Sequence, residues 1–329
     1  MQYNIAKDKD QDQELNASGG SKSWGARKMD SKRVQAAFVR LGLDNYAARL
    51  GECASYLRFM GCDNGHRKLE DANFCRVRLC PMCDWRRSRK YFSQIMRIVH
   101  SAYEQRPAMR YVFLTLTCRN VAGEELSVTL DKLFEGFNRL FKYKQVDTAT
   151  VGWIRSLEVT YNRDENTYHP HFHVLIAVAP DYFGRSYIKH AQWLEMWRKA
   201  MKLDYDPNVR IEAVYKNKMR EGETSGVTLE IAKYTVKPDD ILQANEDLMA
   251  EIVGTLHVAL HHRRLIGFGK LFRELKSKLN LPDIEAEDVD LTDEGPLSLD
   301  CKCPICQAIM KPMMYRWHIG FQSYILSSE

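Results

Sequence analysis

The segment at residues 168–177, YHPHFHVLIA, alternates polar and apolar side chains. Three histidines, His169, His171 and His173, occupy every second position, and apolar residues lie between and after them. Because successive side chains of a β-strand point to opposite faces of its sheet, the pattern predicts a strand with imidazoles on one face and packed apolar residues on the other. Such a row of imidazoles can present a metal site, and three unrelated surface histidines are the alternative interpretation.

Hydrophobic periodicity predicts the elements around this strand. Residues 110–120 and 208–216 are rich in β-branched and aromatic side chains and predict strands, and residues 151–162 predict a hairpin with the histidine strand. Apolar residues at helical spacing predict helices within 31–59 (two short helices broken near 42–45), 84–106, 126–144, 185–203, 227–241 and 245–279, the last with a basic, Gly-broken turn. This order predicts an α+β fold with a mainly antiparallel sheet, whose helices cover one face and leave the other open for chemistry.

Composition narrows the class of protein. The 329 residues can bury a sizeable core, and the formal net charge of +5 suits a polyanionic partner. The sequence contains no apolar run of about eighteen residues that would predict a membrane span, and its start has no apolar core of the signal-peptide kind, so we expect a cytoplasmic protein. There the nine cysteines are expected to be thiols or metal ligands rather than disulfides.

Shifts in composition divide the chain into four regions. Residues 1–32 are polar, contain Gly and Ser, and predict a disordered tail. Residues 33–107 predict a helical, cysteine-rich region that binds zinc and contacts DNA, and residues 108–280 predict the α+β domain. Residues 281–329 predict an acidic linker followed by a small zinc-knuckle-like segment.

A catalytic divalent ion needs a protein ligand besides two histidines, and the hairpin offers a carboxylate. If residues 162–167 form the loop, Glu158 lies opposite His171, at about 5 Å between Cβ atoms. A slip by one residue would instead turn Glu158 to the far face as a solvated strand residue. Glu158, His171 and His173 together offer the mixed nitrogen and oxygen donors that suit Mg²⁺ or Mn²⁺ held against a phosphate, and Zn²⁺ is a further option. His169 could be a ligand, support a ligand or contact the substrate.

The segment LEIAKYTVK, at residues 229–237, carries a candidate nucleophile. Glu230 and Tyr234 are four residues apart, so they share a face if the segment is a helix, and two lysines are spaced in the same way. A tyrosine beside a metal-bound phosphodiester can attack phosphorus, and a glutamate one turn away could activate water or a hydroxyl for a second attack. Ordinary exposed helices carry the same spacing, so the motif gains its weight from the other motifs.

A cluster of cysteines predicts a structural zinc site before the α+β domain. The sequence CRVRLCPMC supplies Cys75, Cys80 and Cys83. Cys62 is the best fourth ligand by position, and Cys53 and His66 are alternatives. Clustered cysteines at this spacing are typical of structural zinc in a reducing compartment, and buried free thiols are the alternative.

The end of the chain repeats the cysteine pattern. Cys301, Cys303 and Cys306 predict a possible second zinc site, which His318 could complete. Cys118, which ends a predicted strand, is expected to be a plain core or edge thiol.

Basic residues surround the first cysteine cluster. Guanidinium groups match phosphate oxygens bidentately, so these residues could contact DNA, although a solvated helix face is the alternative. They are Arg76, Arg78, Arg86, Arg87, Arg89 and Lys90.

Several motifs together resemble a known family. FLTLT at 113–117, HPHFHVL at 169–175 and the Glu-x-x-x-Tyr of EIAKYTVK at 230–237 occur in the order of the three motifs of rolling-circle plasmid replication initiators, which are HUH endonucleases. FCRVRLCPMCDWRRS, at 74–88, resembles the cysteine-rich segment of the bacterial plasmid branch. The resemblance covers roughly residues 53–240.

This resemblance implies a fold and a mechanism. The fold would be a five-stranded antiparallel sheet with flanking helices, and residues 108–280 would be the HUH endonuclease domain. His171 and His173 would bind the metal, Tyr234 would form a 5′-phosphotyrosine, and Glu230 would act in termination. The protein would nick and close plasmid origin DNA, with a host helicase and a DNA polymerase as expected partners.

Other interpretations make different predictions. A relaxase or transposase of the same superfamily would share the histidines and the tyrosine. A non-catalytic zinc-containing DNA-binding protein would explain the cysteines and arginines but not the histidine row. A zinc-dependent deaminase is excluded because the sequence has no His-x-Glu dipeptide and its turn is Cys-Pro-x-Cys.

Overall fold

The computed structural model describes residues 23–214, 231, 241–295 and 301–327. The chain divides into two compact units, each assembled from distant parts of the sequence. The first unit contains the described residues of Met1–Arg87, Asn245–Val253 and Ala286–Glu329, and the second contains those of Ser88–Ala244 and Gly254–Glu285. Within the described residues, no helix is both long enough and apolar enough to cross a membrane.

The first unit is built around a four-stranded antiparallel sheet with the strand order β2-β1-β8-β9. Its helices and strands are α1 (Trp24–Arg40), α2 (Asp44–Glu52), β1 (Tyr56–Cys62), β2 (Arg67–Ala72), β8 (Met310–His318) and β9 (Ser323–Leu326). Strand β1 pairs with β8 along its whole length, from Tyr56 opposite Arg316 to Cys62 opposite Met310. Strands from the end of the chain therefore complete a sheet that begins in the cysteine-rich region.

This unit differs from the sequence-based expectation at two points. The predicted disordered tail extended too far, because helix α1 begins at Trp24 and not after residue 32. The Ser23 side chain caps this helix by accepting a hydrogen bond from the Ala26 N–H. Residues 1–22 lie outside the described residues. The four strands were not predicted, because none of them shows a regular alternation of polar and apolar residues. The break between two short helices near residues 42–45 is confirmed.

The second unit contains the predicted antiparallel sheet, with five strands in the order β6-β3-β5-β4-β7. The strands are β3 (Arg110–Thr117), β4 (Thr150–Asn162), β5 (Thr167–Val178), β6 (Val209–Val214) and β7 (Ile266–Lys270). Helices α4 (Gly123–Leu140), α5 (Lys144–Ala149), α6 (His190–Met201) and α8 (Leu271–Lys278) belong to the same unit. Two further helices are α3 (Pro81–Gln105) and α7 (Glu246–Leu260). The predicted mixed α and β composition is confirmed.

The two faces of β5 have different environments because its side chains alternate. Phe172, on the face opposite the histidines, packs edge-on against Phe134 and Phe137 of α4, with ring centroids 5.2 and 5.4 Å apart. Arg155 of β4 lies on the same face, with its guanidinium 4.4 Å from the Phe134 centroid. This apolar layer fixes which face of the sheet the histidines occupy.

Strand β7 was missed and predicted as a turn. Its sequence, IGFGK, reads as a turn because of its glycines, but it pairs with β4 from Ser156 to Gly152. A Cβ atom at Gly269 would overlap the Trp153 indole across the strand pair. The glycine therefore permits a close cross-strand approach rather than a break in the chain.

Candidate metal centre and cysteine clusters

The hairpin of β4 and β5 has the register expected from the sequence. Glu158 lies opposite His171, and Ser156 lies opposite His173. On the other side of β5, His173 pairs with Thr115 of β3. Strand β5 lies between β3 and β4 and is hydrogen-bonded to both. The backbone positions of His171 and His173 are therefore tightly constrained.

Glu158, His171 and His173 form a compact cluster. Glu158 Oε2 lies 3.1 Å from His173 Nε2 and 3.5 Å from His171 Nε2, and the potential ligand atoms all lie within 4.8 Å of one another. The side chains of Glu158, His171 and His173 are only 6, 10 and 12% exposed. The expected open face is therefore a largely enclosed site, in which electrostatic interactions are stronger than at an open surface.

Hydrogen bonds on the outer ring nitrogens orient the two histidines. His171 Nδ1 lies 3.2 Å from the His169 carbonyl oxygen, which can only accept, so Nδ1 carries the proton and donates. His173 Nδ1 lies 3.2 Å from Thr115 Oγ1, and its ring stacks on Phe113 with centroids 5.4 Å apart. This arrangement directs His171 Nε2 toward Glu158, and such a hydrogen bond on the outer ring nitrogen is the usual support for a metal-binding histidine.

Thr115 was not identified from the sequence as part of the site. It lies in the FLTLT segment, which gives that segment a physical role: its threonine holds a histidine ring of the neighbouring strand. The signal available in the sequence was the motif itself, which does not say which of its side chains points toward the histidines.

Burial and the histidines act in opposite directions on the pKa of Glu158. Burial would raise the pKa of this carboxyl, but hydrogen bonds and positive charge from His171 and His173 outweigh burial and hold the pKa well below its ordinary value. The group is therefore a carboxylate at neutral pH. Burial, with a smaller contribution from the charge of His171, lowers the pKa of His169, whose ring is not part of the three-residue cluster.

The predicted nucleophile and its partner are not among these residues. Tyr234 and Glu230 lie outside the described residues, as does most of the predicted helix at 227–241. Ile231, between them in sequence, is described and fully buried.

The first cysteine cluster has a different fourth member from the one predicted. Cys53 joins Cys75, Cys80 and Cys83, with Sγ–Sγ distances of 3.5 Å from Cys53 to Cys83 and 3.6 Å from Cys53 to Cys80. Tetrahedral zinc with bonds of about 2.3 Å would separate its sulfurs by about 3.8 Å. Cys53, the alternative, fits because it directly follows α2, whereas Cys62 lies at the far end of β1.

A second cluster takes up Cys62. Its ligand atoms come from Cys62, His66, Cys303 and Cys306. Cys301 is exposed and is not in the cluster, and His318 accepts a hydrogen bond from the Phe321 N–H instead of joining it. The expectation that Cys301 and His318 belong with Cys303 and Cys306 is therefore corrected.

The remaining thiol fits its expected role. Cys118 is buried and lies 3.6 Å from the Pro170 carbonyl oxygen as a core thiol. All nine cysteines are among the described residues, and none of them forms a disulfide.

The chain is similar to known proteins across the region that contains these sites. A family model described as "Replication protein" matches residues 66–324, a span that includes the histidine cluster and three of the four members of each cysteine cluster. The chain belongs to this replication protein family. The resemblance to plasmid replication initiators is thus confirmed.

Individual relatives agree with this assignment. A "Protein rep" of Bacillus amyloliquefaciens is 39% identical over 346 residues, which cover 98% of this chain and 98% of the relative. A "Protein rep" of Streptococcus pneumoniae serotype 2 (strain D39 / NCTC 7466) is 38% identical and covers 85% of this chain and 86% of the relative. A third, from Bacillus sp, is 44% identical over 79% of this chain and 90% of the relative. No solved structure matches this chain.

A replication initiator binds DNA, but three of the predicted phosphate contacts have roles inside the fold. Arg86 is buried; its Nε donates to the Leu291 carbonyl, and its guanidinium pairs with Asp293 at 2.6 Å. Arg76 donates to the Val289 carbonyl, and Arg87 donates to the Arg76 carbonyl. These three arginines stabilise the replication protein's cysteine-rich region, and their expected contacts with DNA stay a prediction.

Proposed function

We propose that this replication initiator is a metal-dependent, origin-specific enzyme that nicks and closes DNA through a 5′-phosphotyrosine. It would thereby start and end plasmid rolling-circle replication. The observation that carries the proposal is the convergence of Glu158, His171 and His173. A DNA-binding module that lacked chemistry would have no need for a buried carboxylate between two oriented imidazoles.

The donor set fits a divalent cation. An ionised carboxylate and two imidazoles supply three protein ligands, and the bond from His171 Nδ1 to the His169 carbonyl leaves Nε2 directed at the site. Mg²⁺ or Mn²⁺ is the proposed ion, because mixed oxygen and nitrogen donors with open positions suit phosphate chemistry. When bound, the ion would supply Lewis-acid polarisation of a phosphoryl oxygen.

The residues around the cluster would hold it ready. The His169 carbonyl and the Thr115 hydroxyl fix the two rings, and Phe113 stacks on the His173 ring. Low exposure keeps bulk water from competing with the substrate phosphate. The chain therefore contributes orientation before the DNA arrives.

Tyr234 is the proposed nucleophile. Its phenolic oxygen would attack phosphorus, forming a bond to the 5′ phosphate as the bond to the 3′ oxygen breaks, so the released 3′ hydroxyl can prime a polymerase. One phosphoester replaces another, so no nucleotide cofactor is consumed. Glu230 is proposed to activate water or a hydroxyl for the terminating attack. A host helicase and a polymerase are the proposed partners.

Supercoiled plasmid carrying the cognate origin tests this function. The wild-type protein in Mg²⁺ or Mn²⁺ is expected to relax the plasmid and to remain attached to the 5′ end. Tyr234→Phe should abolish the adduct while retaining origin binding. Binding by the wild-type protein without any nicking in either metal would contradict the proposal in favour of a non-catalytic module.

Glu230→Ala separates initiation from termination. If Glu230 is a general base, release should slow by about 10²–10⁴-fold while the first nick stays nearly intact. Equal loss of both steps would contradict this division of roles.

The Cys53, Cys75, Cys80 and Cys83 cluster is proposed to hold structural zinc. Four sulfurs at near-tetrahedral separations leave no open position for a substrate, which is typical of a structural site. Its role would be to hold the end of α2 against the start of α3.

A further inference from the structure

Two turns that are far apart in sequence face each other in the first unit. The turn between β1 and β2 is closed by hydrogen bonds from the Cys62 N–H to the His66 carbonyl (3.0 Å) and from the Gly65 N–H to the Cys62 carbonyl (2.9 Å). Gly65 has a φ of +80°, a conformation that side chains with a Cβ rarely adopt. This tight turn fixes the positions of Cys62 and His66.

The second turn precedes β8 and has a similar construction. The Cys303 N–H donates to the Ala308 carbonyl at 2.8 Å, and the Gln307 N–H donates to the Cys303 carbonyl at 2.9 Å. The chain therefore curls back so that Cys303 and Cys306 lie on the same side of the turn.

The four donor atoms have the separations of a tetrahedral zinc site. The Sγ atoms of Cys62 and Cys306 are 3.6 Å apart, and His66 Nδ1 lies 3.3 Å from Cys306 Sγ and 3.6 Å from Cys303 Sγ. Tetrahedral zinc would separate two sulfurs by about 3.8 Å and a sulfur from a nitrogen by about 3.6 Å. A disulfide would bring two sulfurs to about 2.05 Å, so the geometry is not that of a disulfide.

Among the residues that the structure describes, only a small apolar cluster packs between these two turns. Their shared core consists of Cys62, Cys303, Met60 and Met310, with Cys306 and Ala308 packed against it. A core this small cannot fix a polypeptide turn by burial alone, and small structural units of this kind are usually stabilised by a metal or a disulfide.

We propose that Cys62, His66, Cys303 and Cys306 bind a second structural zinc ion, which fastens the C-terminal strands to the first hairpin of the chain. The thiols release their protons on binding, and three thiolates with one neutral imidazole give the site a net charge of −1. The ion would lie at the end of the β1 and β8 pairing, where Cys62 is opposite Met310. It would thus hold these two strands of the sheet together at that end.

The inference does not depend on DNA nicking, and the chain supplies its own control. Cys301 is two residues from Cys303 but is exposed and outside the cluster. Its substitution removes a thiol from the same segment without removing a ligand.

Zinc content of the full-length protein tests the proposal. We expect Cys306→Ser and His66→Ala to lose one zinc ion per chain relative to the wild type, as measured by mass spectrometry of the metal. Cys301→Ser and His66→Cys should retain it, because the latter completes a four-cysteine site. Unchanged zinc in soluble Cys306→Ser or His66→Ala would overturn the proposal.

The absorption spectrum of the Co²⁺-substituted protein tests the proposal even if Cys306→Ser and His66→Ala fail to fold. In the Co²⁺-substituted protein, His66→Cys should strengthen the sulfur-to-metal charge-transfer absorption, because one more thiolate binds. A spectrum identical to that of the wild type would overturn the proposal, and Cys301→Ser should leave the spectrum unchanged.

Discussion

The histidine cluster of the second unit and the Cys53 cluster of the first offer a metal very different surroundings. Glu158, His171 and His173 supply three ligands, whereas Cys53 and its three partners supply four and complete a tetrahedron. An incomplete set leaves positions for substrate, and a complete set excludes it. Under the proposed function, the number of ligands distinguishes the site that would act on DNA from the site that would hold the fold together.

Removing a cysteine ligand should have the largest effect on folding. Cys80→Ser takes away one of four ligands in a fully buried cluster. Structural zinc contributes about 10–16 kcal/mol in zinc-finger peptides, which is comparable with the roughly 5–15 kcal/mol stability of a whole domain. We expect the variant to lose one zinc and the cooperative unfolding of the first unit, as measured by metal analysis and thermal melting.

Cys118→Ser is the matched control for this prediction. Cys118 is also buried, but it is outside both cysteine clusters, and a serine hydroxyl can still donate to the Pro170 carbonyl. Its zinc content should match the wild type. A Cys80→Ser protein with full zinc and an unchanged melt would refute the structural role.

Removing the carboxylate should affect activity rather than folding. Glu158→Gln keeps the shape of the side chain but removes the negative charge that the two histidines stabilise. We expect nicking to fall by more than about 100-fold, beyond the usual effect of losing a group that only supports a ligand, with the melting temperature little changed. If Glu158→Gln lost activity because it unfolded, with a clearly lower melting temperature, the proposed difference between a catalytic and a structural cluster would be contradicted.

A smaller effect is expected at the residue that orients His173. Thr115→Val has nearly the same shape but cannot hydrogen-bond to Nδ1. Loss of such a supporting group typically lowers metal affinity or activity by about 10–100-fold. When nicking is measured against Mn²⁺ concentration, Thr115→Val should need more Mn²⁺ than the wild type. Thr115→Ser, which keeps the hydroxyl, should need the same Mn²⁺ concentration as the wild type. An unchanged requirement in Thr115→Val would remove Thr115 from the site.

The smallest effect on DNA binding is expected at Arg86. Its guanidinium is 4% exposed and pairs with Asp293, whose side chain is 33% exposed, so Arg86→Ala should destabilise the first unit by about 1–3 kcal/mol in chemical unfolding. The salt dependence of DNA binding should stay the same, because no phosphate contact is lost. A slope reduced by about one would show instead that Arg86 neutralises a phosphate.

Sequence reasoning succeeded where a site depends on local pairing. A hairpin with a short loop fixes its register by counting, and the alternation of β5 fixes the face, so Glu158 could be placed opposite His171. Thr115 could not be placed beside His173 in this way, because a long connection separates its strand, β3, from β5.

The cysteine pairings could not be counted in the same way. Cys62 and Cys306 meet because β1 pairs with β8, strands separated by more than two hundred residues. Composition alone cannot reveal such a closure, since Cys62 lies nearer than Cys53 to Cys75 in sequence, although Cys53 is the residue that joins that cluster. Strand β7 was missed for a related reason, because a glycine that allows close approach of Trp153 looks like a turn residue.

Anomalous diffraction from crystals of the full-length protein soaked in Mn²⁺ tests the central claim most directly. A manganese peak within bonding distance of Glu158, His171 and His173, absent in crystals of Glu158→Gln, is the expected result. A nicking-competent protein whose manganese binds elsewhere, with these three side chains left uncoordinated, would contradict it.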